Sequence, residues 1–334
     1  MKLLVTGGAG FIGSNFIRYI FQEHPSWEIT NLDKLTYAGN LENLEDIRDN
    51  NKYQFVHGDI ADSKLLDEIL ARGFEAIINF AAESHVDRSI LNASPFIDTN
   101  ITGTQALLEG VRKWHIEKFI QVSTDEVYGS IDEGGFSESS VLSPSSPYSA
   151  SKASADLLCL AYWKTYNLSI NITRCTNNYG PYQFPEKLIP LAITNAMEDK
   201  PVPVYGDGLN VRDWIFVIDH CRALDTVIQN GKPGEIYNIA GCSERTNLEI
   251  IDELLGFLDK PGSLVHFVSD RPGHDRRYAL DIDKIAGELD WKPVYSFEEA
   301  MKLTVDWYLQ HASWWQHIKT GEYTKYYERM YHHR

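Results

Sequence analysis

A mostly parallel α/β sheet flanked by helices, with a smaller mixed α/β unit towards the carboxy terminus, is predicted by three features of the sequence. Six short β-rich segments alternate with stretches long enough to be helices over the first half of the chain. The first of them runs straight into a glycine-rich turn, Thr6-Gly-Gly-Ala-Gly-Phe-Ile-Gly13. After Arg174 the alternation gives way to turns rich in Pro, Gly and Asn. Alternating strand and helix is the pattern of βαβ units, whose crossover helices cover both faces of a parallel sheet.

The strands are read at Lys2 to Val5, Glu28 to Leu32, Gln54 to Val56, Ala76 to Phe80, Phe119 to Ser123 and Ser169 to Thr173. Helices are expected over Phe11 to Phe21, Asp62 to Ala71, Ile97 to Trp114 and Tyr148 to Tyr166. In the last of these, Leu157, Leu158, Ala161 and Tyr162 recur at helical spacing. Turn compositions at Asn177 to Tyr182, Pro201 to Gly208 and Asp270 to Asp275 separate further helices near Glu186 to Met197, Val217 to Gln229, Asn247 to Leu258 and Phe297 to Gln310. Residues 1–175, with a returning segment around 214–240, are expected to form one domain and 176–334 mainly a second. The His/Tyr/Trp-rich tail from His311 suggests no function.

With 334 residues, 43% hydrophobic and 23% charged, the chain can bury a large core. A formal net charge of -16 argues against a nucleic-acid surface, which needs clustered Lys and Arg. The four cysteines, 159, 175, 221 and 242, have no metal-binding spacing, so reduced thiols and no metal are expected. The start, Met1-Lys-Leu-Leu-Val-Thr-Gly-Gly, leaves no room for a signal peptide, and no apolar run approaches the roughly 18 residues of a spanning helix. A soluble cytoplasmic protein without a membrane partner is the expectation.

Gly7, Gly10 and Gly13 give Gly-x-x-Gly-x-x-Gly, which can supply a tight turn, close approach of a pyrophosphate and close packing of the first helix. Asp33 follows the second strand directly, 20 residues beyond Gly13, where a carboxylate bonds adenosine ribose hydroxyls and repels a 2'-phosphate. The pair predicts a Rossmann-type domain that binds NAD rather than NADP. Asp59, after the third strand, could accept the adenine amino group, or could cap the helix before Leu65. Ala81 and Ala82, at the end of the fourth strand, would let a cofactor lie close to the backbone, as would plain close packing. Phe11, Ile12, Lys34, Ile60, Thr99, Ser123 and Asn178 complete the cofactor-contact set.

Tyr148-Ser-Ala-Ser-Lys152 places a phenol and an ammonium one helical turn apart. A phenol near pKa 10 is a poor base, but an adjacent ammonium and a positive nicotinamide ring favour the phenolate. Tyr148 could then take a hydroxyl proton as hydride leaves the same carbon for NAD, with Lys152 also holding the nicotinamide ribose.

With these motifs the chain resembles, over nearly its whole length, the extended short-chain dehydrogenase/reductase superfamily, and in particular its nucleotide-sugar dehydratases and epimerases. The resemblance sharpens at Val122-Ser-Thr-Asp-Glu-Val-Tyr-Gly129. Epimerases of the superfamily typically carry small or uncharged residues where this chain has Asp125 and Glu126, and Thr124-Asp125-Glu126 is similar to the signature of the 4,6-dehydratases. The resemblance implies an NAD-dependent lyase. Sugar C4 is oxidised, water is lost between C5 and C6, and hydride returns to C6. It assigns Tyr148 as the C4 hydroxyl base, Thr124 as a hydrogen bond near the C4 oxygen, Glu126 as the C5 base and Asp125 as the C6 general acid. Asp125 would then need a raised pKa. Adjacent strand residues face opposite sides, so the strand must end or bend here for both carboxylates to reach one sugar.

A sugar nucleotide needs cations despite the acidic chain, and Arg212, Arg271 and His274 are candidates. The resemblance makes Arg212 a phosphate ligand, matches Asn177, Lys187, Asn247, Arg271 and His274 to diphosphate or nucleoside contacts, and brings Tyr205 beside the base. In the Glu83-to-Ser89 loop, which the resemblance brings to substrate and cofactor, Ser84 is the expected direct contact, and either contact or a structural role stays open for His85, Asp87 and Arg88. The implied substrate is dTDP-glucose, with UDP-glucose as the alternative. The implied assembly is a homodimer through the helices Ile97 to Trp114 and Tyr148 to Tyr166. Asp125 and Glu126 argue against a 4-epimerase, and the intact Thr/Asp/Glu/Tyr/Lys set against a catalytically silent NAD-binding scaffold.

Overall fold

The computed structural model describes residues 1–320 together with Tyr323 and Tyr327; the rest of the tail, for which the sequence suggests no function, lies outside the described residues. The strands, in chain order, are β1 (Lys2–Thr6), β2 (Glu28–Asp33), β3 (Tyr53–His57), β4 (Ala76–Asn79), β5 (Lys118–Thr124), β6 (Ile170–Cys175), β7 (Asn177–Tyr179), β8 (Val202–Tyr205), β9 (Val211–Phe216), β10 (Ile236–Ile239), β11 (Glu244–Thr246) and β12 (Val265–Val268). Seven of them form one sheet in the order β10-β6-β5-β4-β1-β2-β3, every pair parallel. This is the Rossmann-type sheet that the strand and helix alternation predicts.

The inner strands read as apolar runs because both faces are covered. On β1, Leu3 and Val5 join Phe16 and Ile17 of the helix Phe11–Glu23, while Leu4 between them joins Leu66 and Leu107 on the opposite face. Such alternation buries each successive side chain in a different layer. The first layer is completed by the helix Val217–Asn230, which packs against Phe11–Glu23. The second holds the helices Ser63–Leu70, Thr104–Trp114 and Pro147–Tyr166.

Strand order reverses between β1 and β4, so the crevice at their carboxyl ends is a switch point where such sheets bind ligands. Two small sheets stand beyond it: β11-β9-β7, in which β9 pairs parallel with β7 and antiparallel with β11, and the parallel pair β12-β8. The chain returns to the main sheet at β10, beside β6. Among the described residues no helix is long and apolar enough to cross a membrane.

The segment expected as one helix from Ile97 to Trp114 differs in detail. Ser94–Phe96 leads into a π-helical stretch, Ile97–Gly103, and only then into the α-helix Thr104–Trp114. Ile97, Thr99, Ile101 and Thr102 are β-branched and stiff, which disfavours a tight helical turn. The Asn100 carboxamide fixes the widened turn by accepting from Glu83 N–H at 2.9 Å and donating to the Glu83 carbonyl at 3.0 Å and the Ser151 hydroxyl at 2.8 Å.

Candidate active site

The glycine turn is built by close approach. Gly7 has φ +73, and a Cβ there would stand 2.5 Å from the Ala81 nitrogen; a Cβ on Gly13 would stand 2.5 Å from the Gly7 carbonyl oxygen. Any larger side chain would push β1 from β4 or the helix from its turn. Asp33, at the end of β2, accepts from Ala9 N–H at 2.9 Å and from Leu35 N–H at 2.8 Å. Burial raises its carboxyl above the ordinary range, and these two donors partly offset that. Lys34 Nζ pairs with Asp59 Oδ2 at 2.6 Å. The cap of the helix Ser63–Leu70 is Asp62, which accepts from Lys64 and Leu65 N–H, so the capping alternative for Asp59 is overturned. Asp59 instead accepts from Ala61 N–H and faces the pocket.

One continuous pocket follows the carboxyl ends of β1, β2, β4 and β5. Gly7, Gly10, Phe11, Ile12, Gly13, Asp33, Lys34, Asp59, Ile60, Ala81, Ala82, Thr99, Ser123 and Asn178 all line it. So do Ser84, Thr124, Asp125, Glu126, Tyr148, Lys152, Asn177 and Lys187. Its glycine floor, closed to a Cβ at Gly7 and Gly13, and the Asp33 carboxylate beyond it fit a dinucleotide pyrophosphate and ribose.

β5 ends at Thr124 and the chain enters a 3-10 turn, Asp125–Val127, with Thr124 capping it through Glu126 N–H. This break meets the geometric demand of the sequence: two adjacent carboxylates enter one pocket. Their surroundings differ. Burial and the neighbouring Glu126 push Asp125 up to about 8, while the Thr124 hydroxyl donates to its Oδ1 at 3.1 Å. Glu126 is also raised by burial, but Arg271, Lys187 and Arg212 oppose the rise. Negative charge in this buried pair therefore resides on Glu126 and the proton on Asp125.

Ser146 forms a capping box with Ser149 and starts the helix Pro147–Tyr166, which puts Tyr148 and Lys152 on its pocket face. Lys152 Nζ donates to the Val122 carbonyl at 2.6 Å; burial lowers its proton affinity and Asp156, one turn further on, opposes that. Tyr148 is held well above the ordinary phenol range by burial and then by the Glu126 charge; Thr124 is the neighbour that favours the phenolate. The Lys152 ammonium, expected together with a nicotinamide ring to favour the phenolate, is not the group that opposes the rise here.

Of the nucleotide-end candidates, Ser84, Asn177 and Lys187 line this pocket, while Arg212, Arg271, His274, Tyr205 and Asn247 lie outside the lining. Arg212 Nη2 donates to the Asp275 carbonyl at 2.9 Å, and its guanidinium stands 4.3 Å from the Tyr278 ring. Arg271 Nη1 is 3.7 Å from Asp87 Oδ1, and the Tyr205 hydroxyl donates to Asp87 Oδ2 at 3.2 Å. Asn247 opens the helix Asn247–Phe257. His274 is not a cation at neutral pH: burial and Arg271 push it down to about 4, and its Nδ1 stands 2.6 Å from Asp270 Oδ1. Lys187 Nζ donates to the Ser84 carbonyl at 3.2 Å.

A family model described as GDP-mannose 4,6 dehydratase matches residues 4–304. The chain belongs to that family. Within the GDP-mannose 4,6-dehydratase family it is similar to the dTDP-glucose 4,6-dehydratase of Streptomyces niveus, with 50% identity over 326 residues that cover 96% of this chain and 97% of the relative. A crystal structure of the dTDP-glucose 4,6-dehydratase of Streptomyces venezuelae, with NAD bound, superposes with a TM-score of 0.93 and 52% identity over 96% of this chain and 100% of the other. The UDP-glucose 4-epimerase of Thermotoga maritima shares the fold at a TM-score of 0.87 but only 29% identity, over 93% of this chain and 100% of its own.

This member of the GDP-mannose 4,6-dehydratase family also lines its pocket with Tyr37, Glu83, Cys175, Gln183 and Glu186, which sequence reasoning missed. Glu83 sits beside Ser84 in a loop already singled out, and Cys175 two residues beyond the β6 reading, so proximity was the available signal. Tyr37 and Glu186 had none. They meet through Arg88, whose guanidinium lies 3.9 Å from the Tyr37 ring and 3.3 Å from Glu186 Oε2, a contact between segments far apart in sequence.

Proposed function

We propose that this protein is an NAD-dependent lyase that converts dTDP-glucose to dTDP-4-keto-6-deoxyglucose and water. The observation that carries the reading is the 3-10 turn at the end of β5, which delivers Asp125 and Glu126 to the pocket that also holds Tyr148 and Lys152. A 4-epimerase removes neither the C5 proton nor the C6 hydroxyl, so its reaction gives two such carboxylates no task. The dTDP-glucose 4,6-dehydratases similar to this chain at about half identity support the substrate.

NAD, held by the Gly7 to Gly13 turn, Asp33 and Lys152, supplies when bound the hydride acceptor and donor for the sugar and a positive ring charge beside the phenol. Tyr148 takes the C4 hydroxyl proton, with Thr124 hydrogen-bonded near the C4 oxygen. The C4 ketone acidifies the hydrogen on C5, which Glu126 removes as its base. Asp125, held protonated by burial and by Glu126, gives its proton to the departing C6 hydroxyl, and water leaves. Glu126 returns its proton to C5. Each turnover thus ends with one proton gained at Tyr148 and one lost at Asp125, and passing it across resets the site. Arg212, Arg271 and Lys187 supply the diphosphate cations, while Asn177, Asn247, Ser84, Tyr205 and the neutral His274 supply hydrogen bonds and a ring face for the rest of the nucleotide.

Residues 1–175 with the return through 214–240 serve the cofactor, and 176–334 mainly the sugar nucleotide. The protein works in the cytoplasm as a homodimer through the helices from Ile97 to Trp114 and from Tyr148 to Tyr166. Exposed apolar side chains on them, including Ile97, Leu157 and Tyr166, support that surface. The test is mass spectrometry with NMR of dTDP-glucose incubated with the protein and NAD, beside UDP-glucose at equal concentration. Loss of one water with a C4 keto signal from the dTDP sugar is the result expected. Unchanged mass with inverted C4, or preference for the UDP sugar, would overturn the reaction or the substrate.

A further inference from the structure

Behind the pocket lies a polar cluster with no solvent access. Arg174 on β6 is buried, and its Nε donates to Asp156 Oδ2 at 2.9 Å. Its Nη1 donates to the Tyr128 hydroxyl at 2.8 Å, and that hydroxyl donates to Asn238 Oδ1 on β10 at 2.9 Å. Asp156 stands on the helix face that carries Tyr148 and Lys152, two turns beyond the first and one beyond the second. Tyr128 directly follows the turn that carries Asp125 and Glu126. One guanidinium therefore bonds the helix of the oxidation step and the turn of the elimination step at once.

Burying a charged pair is a poor way to gain stability, because desolvation consumes most of the attraction. An apolar cluster would serve packing as well. What a planar guanidinium adds is direction: two donors in a rigid fork fix the relative position of the two groups they bind. The reaction needs that rigidity, since the C4 base and the C5 and C6 groups must meet one sugar without rearrangement.

We propose that Arg174 is a positioning residue that, through Asp156 and Tyr128, locks the helix of Tyr148 and Lys152 to the turn of Asp125 and Glu126, so that C4 oxidation and C5/C6 elimination stay coupled. This inference rests on the dehydratase reading above. Gly129 reinforces the turn's exit: it has φ +83, and a Cβ there would lie 2.5 Å from the Ser143 carbonyl oxygen.

The test is Tyr128→Phe, which keeps the ring stacked on Phe136 at 5.0 Å and beneath Arg174 but removes the bridging hydroxyl. Arg174→Lys is the second variant, because an ammonium keeps the charge but lacks the fork. Each is assayed with the wild type for turnover, for thermal midpoint, and for the mass of the keto sugar formed. The expected result is a fall of about 10- to 100-fold in the water-loss step with KM for the sugar nucleotide nearly unchanged. A 4-keto sugar that retains its C6 hydroxyl should appear, with reduced nicotinamide absorbance in single turnover. A lowered thermal midpoint with wild-type product distribution in both variants would overturn the coupling role and leave a structural one. Wild-type protein that loses no water from dTDP-glucose would instead overturn the dehydratase reading, so the two failures are distinct.

Discussion

The Lys152 ammonium donates to the Val122 carbonyl at 2.6 Å, which ties the helix of Tyr148 to the strand that leads into the turn of Asp125 and Glu126. The bond uses one of three ammonium donors and leaves the others for the pocket. Lys152→Met should therefore lower kcat by about 100- to 10,000-fold, the usual worth of an assisting group in proton transfer. Sugar-nucleotide affinity should persist, because Arg212 and Arg271 lie outside the lining that holds Lys152. Steady-state kinetics beside calorimetric titration with dTDP checks both, and a loss of dTDP binding equal to the loss of kcat would contradict it.

Asp125 should give the enzyme an alkaline limb. Its carboxyl is raised from 3.8 to about 8 in the folded chain, so the proton needed for the C6 hydroxyl is lost as pH rises past about 8. Asp125→Asn should slow water loss and abolish that limb in kcat. Stability carries the same sign. Between about 4 and about 8 the folded state binds this proton more tightly than the unfolded state, so wild-type stability falls as pH rises through that window. Urea melts across the window should be flatter for Asp125→Asn, and an equal slope in both proteins would refute the shift.

The sheet and its glycine turn were legible because their signals are local. Gly7, Gly10, Gly13 and Asp33 carry their meaning through spacing along one βαβ unit, as do Tyr148 and Lys152 along one helix. The bend at Asp125 was inferred from chemistry, as two neighbours had to reach one sugar. The π-helical stretch Ile97–Gly103 was not legible, since it depends on Asn100 meeting Glu83 and Ser151 across the fold. Asp156 had a usable signal, four residues beyond Lys152, but its partner Arg174 closes the pair only in space. The neutral state of His274 also escaped the sequence, because burial and the nearby Arg271 set it.

Gly13→Ala tests the dinucleotide floor. The added methyl would sit 2.5 Å from the Gly7 carbonyl oxygen, which is backbone and cannot swing aside. The helix should shift outward from the turn and NAD affinity should fall. In the wild type, NAD at about 100 times its Kd should stabilise the protein by about 2.7 kcal/mol. Gly13→Ala should lose most of that ligand-induced gain, read as the thermal shift with and without NAD. An undiminished shift would mean that the cofactor does not lie against this turn.

Stability and positioning separate at the Asp156–Arg174 pair. Both side chains are almost wholly buried, so Asp156→Ala strands a guanidinium without a counter-ion and should cost about 3–5 kcal/mol in urea unfolding. Replacing both partners, Asp156→Leu with Arg174→Met, removes the two charges together and should recover most of that loss. Turnover should not recover with it, because an apolar pair packs but gives the Tyr128 hydroxyl no donor to hold it. A double variant restored in both stability and kcat would reduce the cluster to packing. A single variant costing less than about 1 kcal/mol would mean that water reaches Arg174 when its partner is gone.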